Sequence, residues 1–254
     1  MKTLPAILFL VLGLTPIVRA EVPAGWSTNY AAALSEAARV QKPALMFFTA
    51  SWCGPCKLMA RTTLSEPPVQ QALSNFVRVA IDIDEQRDLS SRYSIEAVPT
   101  FVLLSSAGDE VQRTTGFQAP GDFVPWLINS LSNAREAALR HALARKTLGD
   151  VDQLLTSTNA DAPLQCAAKL FDLCAGRDEP MIHLAAERLK ILASRQPEAL
   201  LDGLSDARLA VRIQVANALR AQLGDQFNVD PWGEPVVRAQ AMQKWRTQLS
   251  THDQ

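Results

Sequence analysis

The spacing of apolar residues along the chain changes character near Ser132. Before that point, short apolar runs of strand length alternate with stretches spaced for helix, and beyond it only helical spacing recurs. From Thr28 to Gln41, Ala33, Leu34, Ala37 and Ala38 fall at helical intervals, and Lys42-Pro43 ends the helix. Ala44 to Thr49 reads as a buried strand, Lys57 to Leu64 as a helix, and Pro67 to Leu73 as a second short helix. Phe76 to Ile81 alternates as a strand, and Arg87 to Tyr93 is helical. Thr100 to Leu104 is an apolar strand, Gly108-Asp109 turns the chain, Glu110 to Thr115 pairs back, and Asp122 to Leu131 closes with a helix. Strands alternating with helices and ending in a hairpin predict an α/β domain, a central mixed sheet flanked by helices.

The second half predicts a separate all-α domain over residues 132–254. Ala185, Leu189 and Leu192 share one helical face, and Leu209, Ile213, Ala216 and Leu223 share another. The stretch from Leu200 to Arg212, followed by Ala216 to Leu219, resembles a HEAT-type repeat, in which paired helices stack into a curved array. Such repeats bury their apolar faces only against neighbours, and Asp230 to Trp245 reads as a capping helix. Cys166 and Cys174 fall in this half. On one helix, eight residues separate them by about 12 Å, whereas bridged Cα atoms lie within about 7 Å. They are expected to be small core residues; the alternatives are a bridge across a helix turn or a thiol exposed for mixed disulfides.

Met1 to Ala20 carries one early lysine, an apolar run from Leu4 to Leu14, and Val18-Arg19-Ala20 before Glu21. This is the pattern of a cleavable secretory signal over residues 1–20; its apolar stretch falls short of bilayer-spanning length and is broken by Pro16, and the competing reading is an uncleaved anchor. The expected location is therefore the periplasm or another exported compartment, with the domains at 21–131 and 132–254. With a net charge of −1 and no basic stripe, nucleic acid is not an expected partner, and no later segment reaches membrane-spanning length.

Chemistry concentrates in Trp52-Cys53-Gly54-Pro55-Cys56, between the strand ending at Thr49 and the helix that follows. Two thiols at this spacing can interconvert between dithiol and disulfide. A thiolate, not a thiol, attacks a disulfide, and a helix N-terminus stabilises negative charge through unpaired N–H groups. Cys53 is therefore expected to be an exposed, readily ionised nucleophile, and Cys56, one turn on, the resolving thiol. Pro55 suits the first helical turn, and Gly54 is expected to permit a tight bend. A zinc half-site and an inert structural bridge compete with this reading. Zinc takes about four ligands, yet there is no second close cysteine pair, and the three histidines, His141, His183 and His252, are scattered.

The region from Trp26 to Leu131 resembles the thioredoxin superfamily. The resemblance rests on Trp52-Cys53-Gly54-Pro55-Cys56-Lys57, on Val98-Pro99-Thr100 further along, and on Gly116 after the hairpin. Lys42-Pro43 and Thr63-Leu-Ser-Glu-Pro-Pro-Val69 make it similar to exported members that include the terminal domain of the electron-transfer protein DsbD. The resemblance implies an α/β thioredoxin fold and a cis Pro99 opposite the cysteines. It further implies that Val98 leaves its backbone free for a substrate strand, and that Trp52, Val98 and Gly116 form a docking rim around Cys53. The chain departs from the family where a buried aspartate is usual, at Phe47. It departs again at Ala60, where the DsbD-type domain has a glutamate, and at Arg61, where a helix-bending proline is usual.

These residues lead to an exported protein thiol-disulfide oxidoreductase, a reductase or electron relay, with Cys53 and Cys56 as the catalytic pair. Trp52, Gly54, Pro55, Val98, Pro99 and Gly116 contact the substrate in this reading. Neither a metal nor a cofactor is expected beyond the redox-active disulfide itself. Expected partners are protein disulfides or dithiols and an upstream electron donor, with a further protein partner on the helical half. The competing reading is a helical-repeat binding module with a regulatory or vestigial redox pair.

Overall fold

Strand β1, Ala44–Thr49, is buried on both faces and so occupies the interior of the sheet. The computed structural model describes residues 20–250, so the signal-peptide pattern, but for its last residue, Ala20, lies outside the described residues. The chain divides into two compact units, Met1–Glu136 and Ala137–Gln254.

In the first unit the strand order is β2-β1-β3-β4, with β2 at Val77–Asp82, β3 at Thr100–Leu104 and β4 at Glu110–Thr115. β1 runs parallel to β2 and antiparallel to β3, and β3 antiparallel to β4, so the sheet is mixed. Because strand side chains alternate between faces, Ala44, Met46 and Phe48 pack with Ala33 and Ala37 of helix α1, Tyr30–Val40. Leu45 and Phe47 point the other way, into a cluster with Met59 of α2, Gly54–Thr62, with Val69 and Leu73 of α3, Pro67–Leu73, and with Phe123 and Leu127 of α5, Pro120–Thr156. Asn29 caps α1, its side chain accepting from the Ala32 N–H at 3.0 Å, and Gln41 takes a left-handed conformation before Lys42-Pro43. The short helix α4 spans Arg87–Arg92.

The expected helix Asp122 to Leu131 runs on to Thr156 as α5. Nothing in Ser132-Asn-Ala-Arg-Glu-Ala-Ala-Leu-Arg140 stops a helix, and no glycine or proline intervenes before Gly149.

Every regular element among the described residues of the second unit is a helix, with α6 at Ala162–Cys174, α7 at Glu179–Arg195, α8 at Leu209–Leu223 and α9 at Pro235–Ser250. Ala185, Leu189 and Leu192 are buried as expected, and Cys166 and Cys174 are free and buried. Leu200 lies in a 3-10 helix, Pro197–Ser205. There, a Cβ on Gly203 would lie 2.6 Å from Phe171 and 2.7 Å from Val215, so glycine is what permits the approach. Helix α8 turns Val211, Val215 and Leu219 inward; of the expected face Ala216 is buried and Leu223 packs against the same core, whereas Leu209 is exposed and Ile213 half-buried. Both stripes are apolar, and packing against Gly203 selects the one containing Val215. Arg238 of α9 is buried, its guanidinium donating to the carbonyls of Leu204 and Gly233.

Candidate active site

Cys53 is the N-cap of α2, and its sulfur accepts a hydrogen bond from the Cys56 N–H at 3.1 Å. Gly54 and Pro55 open the helix, which therefore starts ahead of the expected Lys57. The two sulfurs are joined in a disulfide, with Cα atoms 5.3 Å apart. An N-cap sulfur accepting from an N–H that has no carbonyl partner in the helix, at the helix's positive end, is where a thiolate is favoured once the bond is reduced.

Two expectations about this loop change. Gly54 has no left-handed φ, and a Cβ there would meet nothing within 4 Å, so the bend does not need glycine; it leaves open space above the disulfide. The expectation of an exposed Cys53 is not met: in the disulfide form Cys53 and Cys56 are each 2% exposed. Both pack into the cluster of Trp26, Leu45, Phe47, Met59 and Phe101. An attacking thiolate reaches the bond only by close docking or local opening.

The Val98–Pro99 bond is cis, and Val98 packs against the cluster that holds both cysteines. The turn is held on both sides: the Gly116 N–H donates to the Pro99 carbonyl at 2.8 Å, and the Thr100 hydroxyl donates to the Ala97 carbonyl at 2.7 Å. Gly116 sits at φ +91°, a conformation that favours glycine. Among the described residues, Val98 exchanges no hydrogen bond with another backbone group, leaving its N–H and C=O available. Trp52 is 65% exposed, and Phe117 beside Gly116 is also exposed.

The floor of the site is aromatic. Phe47 stacks on Phe101 with ring centroids 4.7 Å apart, and Trp26 meets Phe47 edge-on at 5.8 Å. The buried polar side chains of this unit are all hydroxyls, so no buried carboxylate lies near Cys56 among the described residues. Arg61 is exposed and pairs with Glu21 at 3.0 Å. Asp84 was not anticipated: its carboxylate accepts from the Trp52 indole N–H at 2.8 Å and so orients the ring. The only signal was its place just past β2, whose last residue, Asp82, pairs with Thr49 of β1.

Comparison with known proteins follows this geometry. A family model described as a thioredoxin-like domain matches residues 30–130. A thioredoxin H-type from Oryza sativa subsp. indica is 31% identical over 91 residues, covering 35% of this chain and 69% of that protein. The chain belongs to the thioredoxin-like family. The thiol:disulfide interchange protein DsbD 1 of Pseudomonas aeruginosa is 37% identical over 83 residues, 31% of this chain and 14% of that protein. The C-terminal domain of Neisseria meningitidis DsbD in its oxidised form shares 27% identity, with a TM-score of 0.36, covering 41% of this chain and 98% of that domain. The chain spans 56–59% of the length of the first plant H-type thioredoxins it matches. Family membership therefore concerns the first unit, which holds Cys53 and Cys56.

Proposed function

We propose that this protein is an exported thiol-disulfide oxidoreductase that reduces protein disulfides or relays electrons to them. The observation that carries the reading is the Cys53–Cys56 disulfide at the N-terminus of α2, with the Cys56 N–H on the Cys53 sulfur. Reduced Cys53 attacks a partner disulfide as thiolate, forming a mixed disulfide while the partner's other sulfur leaves and takes up a proton. Cys56 then loses its proton and attacks the Cys53 sulfur. The second partner thiolate is released and the intramolecular disulfide re-forms; the partner gains two electrons and this chain loses two. A donor dithiol restores the reduced pair by the reverse exchanges.

The free backbone of Val98 and the exposed Trp52 and Phe117 suit an extended peptide laid across the cis-proline turn. Export rests on the signal-like residues 1–20. In an oxidising compartment, a reducing catalyst needs an electron donor. Among the described residues no helix is long and apolar enough to cross a membrane.

The burial of both cysteines and the aromatic floor favour a second reading, in which the bridge is vestigial and the helical unit does the binding. Turnover of insulin disulfides with dithiothreitol as donor separates the two. Catalysis that falls to background in Cys53→Ser supports the oxidoreductase, and no rate above background in the unaltered chain supports the vestigial bridge.

A further inference from the structure

The second unit has a groove between the 137–156 part of α5, α6 and the start of α7, a cavity of about 410 Å³. Its volume lies in the range of small-ligand sites, but its apolar surface does not end at its mouth. Leu173 and Met181 form a buried floor, Leu143 at the edge is 63% exposed, and Leu139, one turn away on the same helix, is 71% exposed. From Leu139 to Thr147 this face runs about 12 Å, two turns of a facing helix. A methionine in the floor lets such a surface adapt to its occupant.

The rim is cationic. Arg140, Lys169 and Arg177 surround the opening. The two carboxylates in the wall are engaged, Asp172 by Arg208 at 2.8 Å and Asp178 by His141 at 2.8 Å and the Met181 N–H at 3.2 Å. Lys169 is shared with Asp150 at 3.2 Å and Arg140 is also engaged, which leaves Arg177 as the rim cation with no ion-pair partner among the described residues. We propose that this groove seats an amphipathic helix of a partner protein, with apolar side chains entering between Leu143, Leu173 and Met181 and carboxylates meeting Arg177 and the cationic rim. The site lies wholly within the second unit and does not depend on the redox reading.

The test is binding of two fluorescein-labelled amphipathic peptides of about 16 residues to the full chain, followed by anisotropy. They share one leucine face and differ only in flanking Glu or Lys. The acidic peptide is expected to bind at least about tenfold more tightly than the basic one. Leu143→Asp should weaken it about tenfold, and Arg177→Glu at least about threefold, with the arginine effect shrinking at high salt. Both side chains are exposed, and circular dichroism checks that each variant is folded. Equal binding of the two peptides, unchanged binding by either variant, or no binding up to about 1 mM overturns the proposal. Saturation by dodecanoate without peptide binding, or a dimer in sedimentation that Leu143→Asp dissociates, also overturns it, giving the groove to a small amphiphile or to a second copy.

Discussion

Phe47 puts an aromatic ring where the thioredoxin resemblance implies a buried carboxylate, so in the proposed exchange the Cys56 proton leaves to solvent or to another carboxylate. Loss to solvent predicts that release of a trapped partner accelerates as pH rises through the thiol range. The account predicts that the mixed disulfide formed with a model disulfide persists longer at pH 6 than at pH 8, read by mass spectrometry after acid quench. Phe47→Ala should cost about 3–5 kcal/mol in urea unfolding, because the ring is fully buried and stacked on Phe101. Gly54→Ala, by contrast, should keep or raise stability by up to about 1 kcal/mol, since its Cβ meets nothing and the residue is helical. At this scale the cysteine pair, the cis proline and the missing carboxylate were legible in the sequence. The burial of Cys53 was not, because Trp26 and Phe101, which help to cover it, are distant in the chain and brought together only by the sheet.

Among elements, the strands were the most legible, since β1, β3 and β4 each carry an unbroken pattern bounded by Pro, Gly or turn residues. The end of α1 was legible because Lys42-Pro43 stops it, and its start fell within two residues of Tyr30, whereas α5 was cut short because the chain offers no stop after Leu131. The inward face of α8 was legible only in part, at Ala216 and Leu223, because two apolar stripes compete and a tertiary contact chooses between them. That contact is testable: Gly203→Ala should destabilise the chain by about 1–3 kcal/mol, since its Cβ would sit under 3 Å from Phe171 and Val215. An unfolding midpoint unchanged from the parent would show that the 3-10 helix does not need this approach.

For the whole molecule, composition and charge gave no reason to expect nucleic acid and did not name the partner, and the groove on the helical unit had no sequence signature. Burial pushes the Cys166 and Cys174 thiols up to about 11 from an ordinary 9.0. Between those values the unfolded chain binds fewer protons than the folded one, so their contribution is complete below about pH 9 and is lost as pH rises towards 11. The urea midpoint should therefore fall from pH 8.5 to pH 10.5. The same burial keeps both thiols protonated near neutrality, which makes them an internal reference for the redox pair. The central claim is that the reduced Cys53 sulfur is a reachable thiolate at the head of α2. It is tested by reducing the full chain and pulsing it with iodoacetamide near pH 7, then mapping the labelled peptides. Cys53 should label first, while Cys166 and Cys174 stay unlabelled until the chain is unfolded; labelling of Cys53 no faster than those two would contradict the account.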